Sequence, residues 1–269
     1  MNFAADPALT GAQLQAIGGA KVRQAARTAV LDLDGRLVVV KGQRAARLAT
    51  GYHLLNLFAW LAGQPCLRAA PAHGGAQAQA LELARLRELA QAGVAVPKLL
   101  HEASDYFVMS HAQGPDLASH LPRSELLLRQ RWNLGLAFLR EVHARGQYLS
   151  QAFARNLIVT NEGIVAIDFE DDPRQVMSLH AAQTRDWLAY LHSTLWLLPW
   201  HEPWVVADLL GVLNKEAQSV RQALRELARG WGWLRRLPKA RRPWGRDLIG
   251  LQALAEVLVQ LDGRSPAPS

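Results

Sequence analysis

The sequence predicts an α+β fold, with a small antiparallel sheet followed by a mostly helical body. Three observations lead there. Strand-like apolar runs separated by turn residues crowd the stretch before residue 110, helical apolar spacing dominates the remainder, and one hairpin between Asn156 and Asp168 interrupts the helical part. With 269 residues, half of them hydrophobic, the chain can bury one large core or two lobes that share a cleft.

In chain order, Ala12 to Ala26 has amphipathic spacing. TAVLDL, Asp34-Gly35 and RLVVVK then read as strand, tight turn and strand, with Lys41 ending the second. A long insertion, 42–75, carries the apolar helix-like run GYHLLNLFAWLAG. The glycine pairs Gly18-Gly19 and Gly74-Gly75 read as ordinary turns, the second alternatively as a phosphate-covering loop or hinge. ALELARLRELAQAG is helical: Leu83, Leu86 and Leu89 form its apolar stripe and Gly93 stops it. On that helix Glu82 either pairs with Arg85 at the surface or faces a cleft, and Glu88 faces solvent.

VAVPKLL returns as a strand, Tyr106 to Ser110 forms another, and a linker leads into a helix near Asp116. Leu126 to His143 is helical, with Trp132 and Phe138 in the core. TRDWLAYLHSTLW starts a further helix with Thr184 as cap and Asp186 in its first turn, where an acid complements the helix dipole. Leu191 to Leu213 is broken by Pro199, His201, Glu202, Pro203 and Asp208, so it reads as two buried helices around a turn and not as a membrane span. His180, His192 and His201 have no ligand spacing and are expected to be structural.

A single cysteine, Cys66, excludes an internal disulfide framework and a cysteine-rich zinc site, and it reads as a small apolar residue in a cytoplasmic protein. The N-terminal stretch lacks the pattern of an export signal. Net charge +7 and a pI near 10.1 come mostly from Arg, most densely in GWGWLRRLPKARRPWGR, residues 230–246. That segment is either a solvated helix end whose Trp residues cap the core or a surface drawn to anionic lipid at the inner membrane face. No nucleic-acid motif accompanies the charge, so nucleic acid is not the expected partner.

The densest chemistry lies in VHARGQYLSQAFARNLIVTNEGIVAIDFEDD. A hairpin here places the Asn156 amide oxygen beside the Asp168 carboxylate, the hard-oxygen pair that Mg²⁺ bridged to phosphates prefers. His143, Gly146, Asn156 and the triplet Asp168, Phe169 and Glu170 stand in the register of the protein-kinase-like superfamily, which this stretch resembles. The helix with Glu82 followed by Gly-Val-Ala-Val-Pro is similar to aminoglycoside-type kinases. The nearest likeness is to bacterial lipopolysaccharide-core (Kdo or heptose) kinases and the compact kinase of the KEOPS complex.

The resemblance implies two lobes, 1–110 with Lys41 and Glu82, and a helical 111–269 with the catalytic loop. It implies ATP and Mg²⁺ as cofactors: Lys41 on the phosphates and paired with Glu82, Met109 and His111 at the adenine hinge, Asn156 and Asp168 on the metal, and Asp186 supporting the loop. Two features depart from the pattern. No glycine-rich loop precedes Lys41, and Gln151 stands where the family has its catalytic Asp. Gln151 can orient a hydroxyl but cannot accept its proton, so Glu170, Asp171 or Asp172 remain as sources of a carboxylate. The triplet ends in Glu, no Ala-Pro-Glu motif follows it, and few residues separate Asp172 from the next helix. The expected reaction is therefore phosphoryl transfer to a hydroxyl on a sugar, lipid or other small molecule, with lipopolysaccharide core or another lipid-linked sugar as acceptor. The alternative is a catalytically silent pseudokinase that binds nucleotide or a regulatory partner.

Overall fold

The computed structural model describes residues 9–23, 27–43, 64–71, 73–119, 124–236 and 241–264. The helix-like run 51–63 lies outside the described residues. Elements follow in the order α1 (Gly11–Arg23), β1 (Thr28–Leu33), β2 (Arg36–Gly42), α2 (Gly75–Gln91), β3 (Leu99–Glu102), β4 (Tyr106–Ser110), α3 (Glu125–Ala144), β5 (Leu157–Thr160), β6 (Gly163–Ala166), α4 (Leu179–Thr194), α5 (Pro203–Leu213), α6 (Gln218–Trp231) and α7 (Arg241–Arg264). An antiparallel small lobe thus precedes a mostly helical body.

The four-stranded sheet has the order β1-β2-β4-β3, antiparallel throughout. Asp34 and Gly35 join β1 to β2 with φ of 57° and 85°, and this left-handed pair matches the strand twist as a two-residue hairpin requires. The Asp32 carboxylate accepts from the Gly35 amide at 2.7 Å. Alternation divides β2 between two cores. Val38 and Val40 pack with Leu33, Val108 and Ile17 of α1, while Val39 joins Phe107, Met109, Leu99 and Leu83 of α2. The second helix reaches back further than its apolar stripe implies, starting at Gly75 with Gly74 as its cap, and Gly93 at φ 75° ends it. Gly18 and Gly19 are helical within α1 and form no turn.

Two predicted elements are replaced by irregular backbone. VAVPKLL becomes a strand only from Leu99. Val94 still bonds the Leu89 carbonyl at the helix end, Ala95 accepts from Ala166 at 3.0 Å, and Pro97 has no amide to give to the sheet. No helix starts at Asp116 either. Pro115 and Leu117 pair with Val159 and Leu157 at the edge of β5, and the Asp116 carboxylate accepts from the Ser119 amide in a local turn that competes with helix. Gly114 makes this possible: its φ is 150° and a Cβ there would lie 2.1 Å from the Val159 carbonyl oxygen.

The helices of the body share one large core that also receives the β5–β6 hairpin. Trp132 is fully buried at its centre and donates to the Thr194 hydroxyl at 3.2 Å, while Phe138 is only partly buried at the edge. The Tyr190 hydroxyl crosses to the Trp132 carbonyl at 2.7 Å, passing over Gly135. A Cβ at Gly135 would stand 2.2 Å from that hydroxyl, and the ring cannot retreat without breaking its bond. Gly135→Ala is expected to destabilise the protein by about 1–3 kcal/mol in urea unfolding, the usual range for overpacking a filled core. Among the described residues, no helix is long and apolar enough to cross a membrane.

Candidate functional site

Alternation along β2 puts Lys41 on the same side as Val39, toward α2. Glu82 on α2 precedes the buried Leu83 and meets Lys41: the ammonium lies 2.5 Å from the Glu82 carboxylate, 2.9 Å from Asp168 and 3.1 Å from Glu170. Arg27, just before β1, pairs with Glu170 and lies 3.8 Å from Glu82. The surface alternative for Glu82 does not form, because Arg85 bonds Glu88 and the Tyr148 carbonyl instead.

Three carboxylates therefore surround two cations. Burial alone would lower the Lys41 pKa, but Glu82, Asp168 and Glu170 outweigh it and hold the lysine charged. Burial pushes Glu82 up, against the pull of Lys41, and the neighbouring Asp168 and Glu170 push in the same direction. Glu170 behaves oppositely: despite burial, Lys41 and Arg27 hold it down at about 2. A depressed carboxylate stabilises the fold above its ordinary range, near 4.5, and that contribution is lost as pH falls toward 2. Glu170→Gln is expected to be less stable than wild type at neutral pH, with the gap closing below about pH 2, as followed by urea unfolding at several pH values.

Glu82, Asp168 and Glu170 offer oxygens within 4.8 Å of one another, but Lys41 already sits among them as their cation. Asp168 is the member open to a ligand, since its side chain is 31% exposed against 5% for Glu82 and 7% for Glu170. The hairpin aligns Leu157 with Ala166, and Ile167 donates to the Asn156 carbonyl, so Asn156 and Asp168 flank the same end of it. The Asn156 amide nitrogen donates to the Gln151 carbonyl at 3.0 Å, leaving its oxygen as the end suited to a cation. Asp168 has φ 69°, a conformation costly for a residue with a Cβ. This donor set fits a hard divalent ion: one accessible carboxylate, one oriented amide oxygen and a surplus of negative charge.

A cleft of about 480 Å³ joins these groups. Val30 and Val39 line it from the sheet, Ile158 and Ile167 from the hairpin, Met109, Ser110, His111 and Ala112 from the connecting strand end, and Lys41, Asn156, Asp168 and Glu170 from its polar end. That is room for a small molecule with a flat apolar part and an anionic tail. Glu82, Gln151 and Asp186 do not line this cleft; Glu82 stands behind Lys41.

Asp186 lies deeper in α4 than its sequence suggests. The helix begins at Leu179 with the Ser178 hydroxyl capping Ala181, and Thr184 donates to the His180 carbonyl, so it is not the cap. Asp186 is fully buried and accepts from the Leu149 amide at 2.6 Å, at the start of the turn that leads to Gln151. His143 stands 3.4 Å from Asp186 through Nε2 and 2.9 Å from Glu216 through Nδ1, and Glu216 also accepts from the Trp187 indole at 3.2 Å. Burial lowers the His143 pKa, but the bonds to both carboxylates outweigh it and raise it. Ser150, held at φ 72°, marks a strained turn before Gln151. Arg27 and Glu216 carry no motif, and only three-dimensional proximity reveals them. Cys66 is buried, and burial raises its thiol to about 11, which keeps it unreactive.

No family model matches the chain, and no curated protein matches it. Among solved structures it is similar to the crystal structure of aminoglycoside-3'-phosphotransferase of type VIII, at 12% identity and a TM-score of 0.34, over 93% of this chain and 100% of that one.

Proposed function

We propose that the protein is an ATP- and Mg²⁺-dependent phosphotransferase of the protein-kinase-like type, acting on a hydroxyl of a sugar, lipid or other small molecule, with a lipopolysaccharide-core or other lipid-linked sugar as acceptor. In this reading residues 1–110 and 111–269 are the two lobes. The observation that carries it is the convergence of Lys41, Glu82 and Asp168 at the polar end of a cleft that Asn156 also lines.

Lys41, kept charged and positioned by Glu82, contacts the phosphates of the nucleotide. The apolar layers of Val30, Val39, Ile158 and Ile167 sandwich the base, and backbone groups from Met109 to Ala112, His111 included, edge it. Asp168 and Asn156 would hold Mg²⁺, which when bound neutralises charge on the phosphates. Asp186 fixes Leu149 and through it the turn into Gln151. The deciding experiment measures conversion of ATP to ADP with Mg²⁺: wild type turns over, and Asp168→Asn does not. Equal rates in the two proteins would sink the enzyme reading.

The second reading, a silent nucleotide-binding module, draws on Gln151 and on the three carboxylates that enclose Lys41. It predicts Mg-ATP binding without ADP formation. For localisation, the reading is cytoplasmic with segment 230–246 against anionic lipid, and Trp233, 57% exposed, is the exposed large apolar side chain among its described residues. Salt-sensitive sedimentation with anionic vesicles tests that contact.

A further inference from the structure

A phosphotransferase acting on a hydroxyl needs an acceptor for the proton, and Gln151 has no basic atom for it. Three acidic residues follow Phe169, and the structure separates them. Glu170 is committed to Lys41 and Arg27 at the polar end of the cleft. Asp172 accepts from the Tyr148 hydroxyl at 2.7 Å and from the Arg174 amide at 3.0 Å, as the cap of a short helical turn. Asp171 does something different: its carboxylate accepts from the Gln151 side-chain nitrogen at 3.0 Å. A carboxylate only accepts, so the bond fixes the Gln151 amide with its nitrogen toward Asp171 and its oxygen away. Both side chains are half-buried, and the Gln151 carbonyl accepts from the side chain of Asn156, which lines the cleft.

We infer that Asp171 is the proton acceptor of the transfer and that Gln151 is the residue that positions it. The inference rests on the phosphotransferase reading. In the step, the acceptor oxygen forms a bond to the γ-phosphorus as the bond between that phosphorus and the bridging oxygen breaks. ADP leaves with that electron pair, and the hydroxyl proton passes to an oxygen of Asp171. The carboxylate is thus supplied from beyond the triplet, across one hydrogen bond from residue 151. The contact spans 20 positions of sequence, which is why spacing alone left three candidates open.

The test uses the full chain with Mg-ATP, water serving as the acceptor, and reads ADP formation beside the Mg-ATP-induced rise in unfolding temperature. Asp171→Asn, nearly isosteric, is expected to lower kcat about 100-fold or more, the usual worth of a general base, with the thermal shift unchanged. The exchanged pair Gln151→Asp with Asp171→Asn keeps an amide bonded to a carboxylate and moves the carboxylate by one hydrogen bond, so it is expected to recover most of the lost rate. A purely structural role for the pair would give no such recovery. Full turnover in Asp171→Asn, or no recovery in the exchanged pair, overturns the assignment. Wild type that binds Mg-ATP but forms no ADP also overturns it while leaving nucleotide binding intact, and wild type with no thermal shift removes the phosphotransferase reading itself.

Discussion

His143→Ala is expected to destabilise the protein by about 3–5 kcal/mol at neutral pH, the cost of stripping a buried ionic group of its partner. His143 stands between two carboxylates that are themselves buried, Asp186 and Glu216, and both ring nitrogens face an oxygen. Only the doubly protonated ring can donate to both. Its removal leaves two buried negative charges with no cation between them, retaining the Leu149 amide on one and the Trp187 indole on the other. The pH dependence has a definite sign. The folded-state pKa of His143 is raised from 6.5, so its contribution is complete below about 6.5 and fades as pH climbs through the raised value. The difference in unfolding free energy between wild type and His143→Ala, measured in urea, should be largest below about pH 6.5 and shrink as pH rises above it. A difference that grows with pH would mean the ring is neutral in the fold.

The second large effect falls on activity. Asp168→Asn is expected to cut Mg-dependent ADP formation by about 100- to 1,000-fold, the scale of losing one preorganised electrostatic contact at a reacting phosphate. Stability should change little. Asn tolerates the left-handed backbone at φ 69°, and Lys41 keeps Glu82 and Glu170 as partners. The variant also relieves a cluster in which three carboxylates outnumber two cations. Function and fold are therefore expected to separate at this position: retained unfolding midpoint, lost turnover. A collapse of the fold on this substitution would assign Asp168 to structure instead.

How much of this was legible in the sequence varies with the physical cause. Strands β1, β2 and β4 announce themselves because apolar alternation and an Asp-Gly turn are local properties, and the structure places β1 and β4 at the predicted residues. The β5–β6 hairpin is legible for the same reason, and its register brings Asn156 and Asp168 to one end. Residues 94–98 and 115–117 mislead because backbone groups within them are taken elsewhere, those of Ala95, Pro115 and Leu117 by the hairpin and that of Val94 by the end of α2, a competition that no window of sequence contains. The helix holding Asp186 starts earlier than read because the Ser178 cap is decisive and the polar residues after it hide the periodicity. Lys41 and Glu82 are 41 positions apart, and spacing left Glu82 with two roles until the fold brought them together. Glu216, 73 positions from His143, had no signal at all.

Lys41, Asn156 and Asp168 are expected to act as one site for a nucleotide with a divalent ion. The most direct test is the unfolding temperature of wild type and Asn156→Ala with a non-hydrolysable ATP analogue, with and without Mg²⁺. At a nucleotide concentration about 100 times its Kd, binding should stabilise wild type by about 2.7 kcal/mol. That gain should depend on Mg²⁺ and fall sharply in Asn156→Ala. A wild-type protein whose unfolding temperature is indifferent to the analogue, or an equal shift in the variant, would mean that these residues form no such site.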